Sequence, residues 1–189
     1  MLFSNDSQKM VKGCLNQEPW AQQKLYDSFA PKMMAVCYRY ARDKDEAADF
    51  LQEGFIKIFL SIHKFEFQGS LEGWIRRVIV NTAIDLIRKR KSSLLESPMN
   101  VEIADTTIDE DKMDTFEVEY LMRVIQSLPT GYRVVFNMYA IEGYTHAEIA
   151  EQLSITESTS RSQYTRAKAL LKKRLHEDSV EFKSYQNAV

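Results

Sequence analysis

The 189-residue chain is 44% apolar with a net charge of −2, enough hydrophobic material for small buried cores and too much for disorder throughout. Six glycines, four prolines and no Asn-Gly or Asp-Gly dipeptide to turn a tight hairpin argue against a strand-rich fold and for an all-α one. The longest apolar run, Met33 to Tyr38, is six residues against the ~18 that span a bilayer, and no basic-then-apolar leader opens the chain, so a cytoplasmic protein without membrane insertion is expected.

Residues 5–91 read as a first domain, the stretch 1–91 holding 15 Lys/Arg against 11 Asp/Glu. Cys14 and Cys37 lack the spacing of a zinc knuckle and are too few for a disulfide framework. Apolar spacing predicts a helix over Gln22 to Tyr40. Asp43 followed by Glu46 resembles a capping box opening a second, Asp45 to His63. A loop from Lys64 to Gly69 leads to Ser70, a plausible cap for a long helix to about Arg90. On that helix Leu71, Trp74, Ile75, Val78, Ile79, Leu86 and Ile87 form the core face, while Arg77, Asn81, Asp85 and Arg88 recur on the other side.

Residues 92–117 contain Ser92, Ser93, Pro98 and Asn100 without helical periodicity, and 92–119 holds nine acids against Lys112 alone, which predicts a flexible acidic linker. A second domain over 118–177 follows, and 178–189 reads as a short polar tail. Phe116 to Leu128 is the first helix of this domain, and Pro129 suits the first turn of the next, to about Tyr139. Gly143 stops it. Thr145 and Glu148 make a capping box for a short helix to Leu153, Ser154 and Ile155 turn the chain, and Thr156 caps a helix from Glu157 to about His176. A short helix, a tight corner and a longer basic helix have the organisation of a helix-turn-helix, whose second helix enters the major groove.

Charge alone favours ordinary solvated surfaces, but two basic modules around an acidic segment also suit nucleic-acid binding with the acidic part kept away. The hydroxyls and guanidinium groups at the start of the last helix are not needed by a plain helical hairpin. An enzyme is disfavoured. None of His63, His146 or His176 follows a Glu by three residues, as a carboxylate di-metal site would want, and there is no H-E-x-x-H and no phosphate-cradling glycine loop. No metal site, catalytic residue or cofactor is therefore expected. A DNA-binding regulator with a sensing or dimerising first domain remains a rival on these grounds.

Four motifs in order carry a resemblance. Asp45-Glu-Ala-Ala-Asp-Phe-Leu-Gln-Glu-Gly-Phe55, Gly73-Trp-Ile-Arg-Arg-Val-Ile-Val-Asn81 with Asp85 and Arg88, Leu128-Pro-x-Gly-Tyr-Arg133, and Glu142-Gly-Tyr-Thr-His-Ala-Glu-Ile-Ala150 resemble bacterial sigma factors of the extracytoplasmic-function group. The likeness covers about 150 residues. It implies a region 2 domain and a region 4 domain joined by a linker, and an alternative sigma factor that directs RNA polymerase to promoters.

The resemblance also implies roles. Asp49, Gln52, Glu53 and Phe55 match the helix that docks on the clamp helices of the largest polymerase subunit, where acids, an amide and an exposed aromatic suit a basic partner helix. Lys64, Phe65 and Phe67 fall in the loop that captures a flipped base of the minus-10 element, although the two rings fit equally as core anchors. Arg76, Arg77, Asn81 and Arg88 lie on the helix that faces promoter DNA, and Trp74 belongs to the core. Arg161, Ser162, Thr165 and Arg166 match positions that contact the minus-35 element, with Lys168 on phosphates. Partners are core polymerase, including the flap of its second-largest subunit against region 4, promoter DNA and an anti-sigma protein. Two departures stand out: Ser154 replaces the usual glycine of the turn, and Ser160 replaces a branched apolar residue, which is expected to thin the core.

Overall fold

A computed structural model describes the backbone of residues 5–93 and 113–186 and the side chains of 6–90 and 120–176. Most of the segment read as a linker lies outside the described residues, as do the last three positions of the segment read as a tail. Among the described residues every long regular element is helical and no strand occurs. The chain divides into two compact units, Met1–Leu95 and Glu96–Val189.

The first unit contains α1 (Asn5–Leu15), α2 (Pro19–Tyr40), α3 (Lys44–Ser61) and α4 (Leu71–Ser93). The sequence pattern gives no helix at α1, yet Met10, Val11 and Cys14 on it are buried. Helix α2 begins three residues before the expected Gln22, because Pro19 stands where a first turn has no use for the missing N–H. Asp43 caps α3 by accepting the Glu46 N–H at 2.8 Å. The Glu46 carboxylate does not return to the cap residue; it accepts the Arg42 N–H at 2.6 Å and pairs with the Arg90 guanidinium, tying the start of α3 to α4. Ser70 Oγ accepts the Gly73 N–H at 3.3 Å and opens α4 as expected. Leu25, Met33, Tyr40, Ile58, Ile75, Ile79 and Val80 are sealed from water in the core between these helices.

The second unit contains α5 (Met113–Gln126), α6 (Thr130–Phe136), a π-helical turn (Asn137–Ile141), α7 (His146–Leu153) and α8 (Glu157–Gln186). Pro129 is the residue before the first turn of α6, with extended ψ, rather than its first member. Arg133 is buried and donates from Nη1 to the Gln126 carbonyl at 2.5 Å, satisfying an open carbonyl at the end of α5. The helix expected to reach Tyr139 widens after Phe136, where the Glu142 N–H reaches back to the Asn137 carbonyl. Val124, Ile125, Leu128, Ala167 and Leu171 form a small core flanked by Tyr120, Tyr132, Phe136 and Leu170. Helix α8 runs on to Gln186, ten residues past its expected end and through the segment read as a tail.

Candidate nucleic-acid and partner interfaces

Helix α3 is two-sided. Ala47, Phe50, Leu51, Gly54, Phe55 and Ile58 face inward, and Asp45, Asp49, Gln52, Glu53, Ile56 and Leu60 face water at helical spacing. A Cβ on Gly54 would lie 2.3 Å from Ile79 Cδ1, so the missing side chain is what lets α4 approach this closely. Phe55 does not join the outer strip as expected. It is 3% exposed, with its ring 4.7 Å from Tyr26 and 6.1 Å from Phe59, and is a core residue. The apolar groups that the outer strip does present are Ile56 (45% exposed) and Leu60 (73% exposed), which the sequence reading passed over although both continue the Gln52, Glu53 register. Three carboxylates, an amide and two aliphatic groups make a surface suited to a protein with basic side chains rather than to a phosphate backbone.

Beyond α3, a 3-10 turn (Ile62–Lys64) leads into the loop. Phe65 is buried, with Phe67 at 5.1 Å and Trp74 at 5.7 Å from its ring, so it anchors the loop and presents no face to a base. Of the two readings open for Phe65, its burial supports the core anchor over the stacking role. Phe67 is half-buried with φ 58° and Gly69 has φ 86°, two left-handed residues that bend the loop around the anchored ring. Trp74, assigned to the core, is half-buried against Phe65. Lys64, Glu66 and Gln68 are exposed.

Arg77, Asn81, Asp85 and Arg88 form an exposed stripe along α4, and Arg76 is half-buried beside it. The Asp85 carboxylate is held by Lys57 of α3 at 3.1 Å, which offsets the one acid in the stripe. Guanidinium groups there can grip phosphates and the Asn81 amide can address a base edge.

In the second unit the turn motif forms as the residues require. Thr145 and Glu148 satisfy each other's orphan groups in a full capping box. Ser154 takes φ 53° and ψ 47°, the left-handed conformation glycine would adopt without strain, and the Ile155 N–H closes on the Ala150 carbonyl at 3.0 Å. Thr156 Oγ1 accepts the Thr159 N–H at 3.0 Å and starts α8. Arg161, Ser162, Thr165, Arg166 and Lys168 are all exposed on α8. Each is lightly engaged. Arg161 pairs with Glu157 at 2.9 Å, Arg166 Nη1 donates to the Tyr132 hydroxyl at 3.4 Å, and Lys168 lies 4.7 Å from the Tyr164 ring. Ser162 and Thr165 donate to the Thr159 and Arg161 carbonyls. Such exposed contacts are worth little and can be exchanged for DNA.

Ser160 takes part in a polar contact within the core. It is fully buried and its Oγ lies 2.9 Å from His146 Nδ1, a pairing the sequence reading missed. Among the described residues no cluster of three or more His, Cys, Asp or Glu could hold a metal ion, and no helix is long and apolar enough to cross a membrane.

The sigma-70 region 2 family model matches residues 25–93, and the sigma-70 region 4 model matches residues 118–171. The chain is 27% identical over 188 residues to the ECF RNA polymerase sigma factor SigW of Bacillus subtilis, covering 94% of this chain and 98% of that one. It is 26% identical over 186 residues to the RNA polymerase sigma-H factor of Pseudomonas aeruginosa, covering 93% and 96%. Among solved structures, the sigma factor RpoE of Bartonella quintana, crystallised with the anti-sigma factor NepR, aligns with TM-score 0.54 and 18% identity over 82% of this chain and 96% of that one, a likeness of fold alone.

Proposed function

Because this chain belongs to the sigma-70 family of RNA polymerase sigma factors, in its extracytoplasmic-function group, we propose that it initiates transcription through three separate helical faces. The outer face of α3 docks on the clamp helices of the largest polymerase subunit through Asp49, Gln52 and Glu53, with Ile56 and Leu60 supplying apolar contact in place of Phe55. The stripe of α4 with Lys64 and the half-buried Phe67 engages the minus-10 element and favours strand opening. Helix α8 reads the minus-35 element with Ser162, Thr165 and Arg166, while Arg161 and Lys168 hold phosphates.

The observation that supports this division is the opposition of charge between faces. The acids of α3 would be repelled by DNA, whereas the arginines of α4 and α8 would be attracted to it. Arg161 and Arg166 stand five positions apart, about 140° around a helix of ~100° per residue, so they serve different contacts. The flap of the second-largest subunit is assigned to the second unit, where Leu121 is 47% exposed. An anti-sigma protein would act by covering the α3 and α4 faces.

The test is the double change Gln52→Ala, Glu53→Arg. Reversing an interfacial charge turns attraction into repulsion, so binding of core polymerase is lost while the far-ultraviolet circular dichroism stays unchanged. Binding at wild-type affinity would remove α3 from the interface.

A further inference from the structure

The second unit contains a polar clasp between α7 and α8 to which the DNA contacts assign no task. His146 is the first residue of α7, and its Nδ1 meets the buried Ser160 hydroxyl of α8 at 2.9 Å. The imidazole stacks on Tyr139 of the π-helical turn, with ring centroids 4.2 Å apart and planes at 12°, and meets the edge of Tyr164 of α8 at 5.9 Å. Tyr139 and Tyr164 also touch, at 4.6 Å. One ring thus links the turn, α7 and the buried side of α8, immediately before Arg161 and Ser162.

The lever arm is short. A roll of about 20° moves a side chain lying about 5 to 6 Å from the helix axis by roughly 2 Å, enough to break a base contact. Among the described residues of α8 the buried apolar ones are Ala167 and Leu171, two turns or more beyond Ser160, so near Ser160 the roll is held by the ring of Tyr164 and by the clasp.

The clasp also depends on the charge of the ring. Glu157 and Arg161 face it from α8 together with the Tyr164 phenol, the Tyr139 phenol faces it from the π-helical turn, and on its own element Glu148 is held by Thr145. Burial and then the Arg161 guanidinium hold the imidazole below its ordinary value of 6.5, against Glu157, which is itself paired with Arg161. The N-terminus of α7 disfavours a cation as well. With its proton on Nε2 the neutral ring accepts the Ser160 hydroxyl hydrogen at Nδ1, and protonation reverses that bond; in either tautomer protonation sets a second cation beside Arg161.

We propose that His146 is a positioning residue for promoter readout: its hydrogen bond to Ser160, made by the neutral ring, sets the roll of α8 and hence the register in which Ser162, Thr165 and Arg166 meet base edges. The inference rests on α8 being the helix that reads DNA. Well above pH 6.5 the ring is neutral whether the clasp is closed or open, and readout is independent of pH. As pH falls below 6.5, the open form takes up the proton more readily, the clasp loses stability and discrimination declines.

The experiment uses the full chain bound to core polymerase and promoter duplexes selected from random sequence by the wild-type holoenzyme. Affinity is measured for each duplex with its minus-35 element intact or mutated, from pH 5.5 to 8. Ser160→Ala removes the hydroxyl, His146→Phe keeps a ring without nitrogen, and His146→Asn places an amide where Nδ1 stood but cannot titrate. The intact-to-mutated ratio falls about three- to tenfold in the Ala and Phe variants and recovers in the Asn variant. It declines below pH 6.5 in the wild type and stays flat in the Phe and Asn variants. In parallel, the His146 ring titrates closer to its ordinary value in the Ser160→Ala chain, followed by nuclear magnetic resonance. An unchanged ratio in both the Ala and Phe variants, or a Phe variant with the wild-type pH profile, overturns the proposal. A wild-type holoenzyme blind to the minus-35 change overturns the assignment of α8 itself, and the inference with it.

Discussion

The two helices proposed to meet DNA are held in opposite ways. Helix α4 lies on a continuous apolar bed in which Leu71, Ile75, Ile79, Val80, Ala83, Ile84 and Ile87 are buried. Among the described residues of α8 the buried positions are Ser160, Ala167 and Leu171, and the joint is completed by a capping box, a left-handed Ser154 and the rings of Tyr139, His146 and Tyr164. Apolar packing is broad and tolerant of local polar change, whereas a joint made of a few hydrogen bonds depends on each. The seat of α4 should therefore fail by cavities and the joint of α7 with α8 by loss of single polar groups.

The largest effect expected from this contrast is at Ile79. Ile79→Ala empties the space against Gly54 and costs about 2 to 5 kcal/mol, seen as a lower urea midpoint in tryptophan emission. Both tryptophans, Trp20 and Trp74, lie in the first unit, so that emission reports it alone. Cysteine alkylation gives a second readout. Burial pushes the thiol of Cys14 up to about 11 and that of Cys37 up to about 12, so the native chain resists modification near neutral pH and the Ile79→Ala chain reacts faster. A change under ~0.5 kcal/mol, the usual size for a surface substitution, would break the contrast.

Next in size is Thr145→Ala. It removes the capping box and costs about 0.5 to 2 kcal/mol, visible in a thermal circular-dichroism transition while the tryptophan transition stays in place. A parallel shift in tryptophan emission would show that the two units unfold together. The smallest effect is at Lys57. Its pair with Asp85 is half-exposed on both sides, so Lys57→Ala changes stability by less than ~1 kcal/mol, and less still at high salt.

The outward stripes of α3, α4 and α8 were legible in the sequence because helical periodicity fixes which residues share a side. That rule also contained the correction at Phe55. Leu51, Gly54, Phe55 and Ile58 follow the inward spacing, and Ile56 and Leu60 the outward one. The motif resemblance implies an outward Phe55, whereas the spacing and the burial place it inward. Phe65 was ambiguous for a different reason, since a loop has no period and the ring's orientation follows from packing on Phe67 and Trp74. The length of α8 was readable from the lack of any glycine or proline after Gly143. The His146 to Ser160 bond was not, because fourteen residues and a left-handed turn bring the two together.

The decisive measurement is run-off transcription with core polymerase alone, and with core polymerase and this chain, on duplex fragments spanning the source genome. Discrete transcripts are expected only when the chain is present, with start sites that share two spaced sequence elements upstream and with no product from the Gln52→Ala, Glu53→Arg chain. Specific DNA binding by the chain without core polymerase, together with no dependence of any transcript on its presence, would contradict the proposed function.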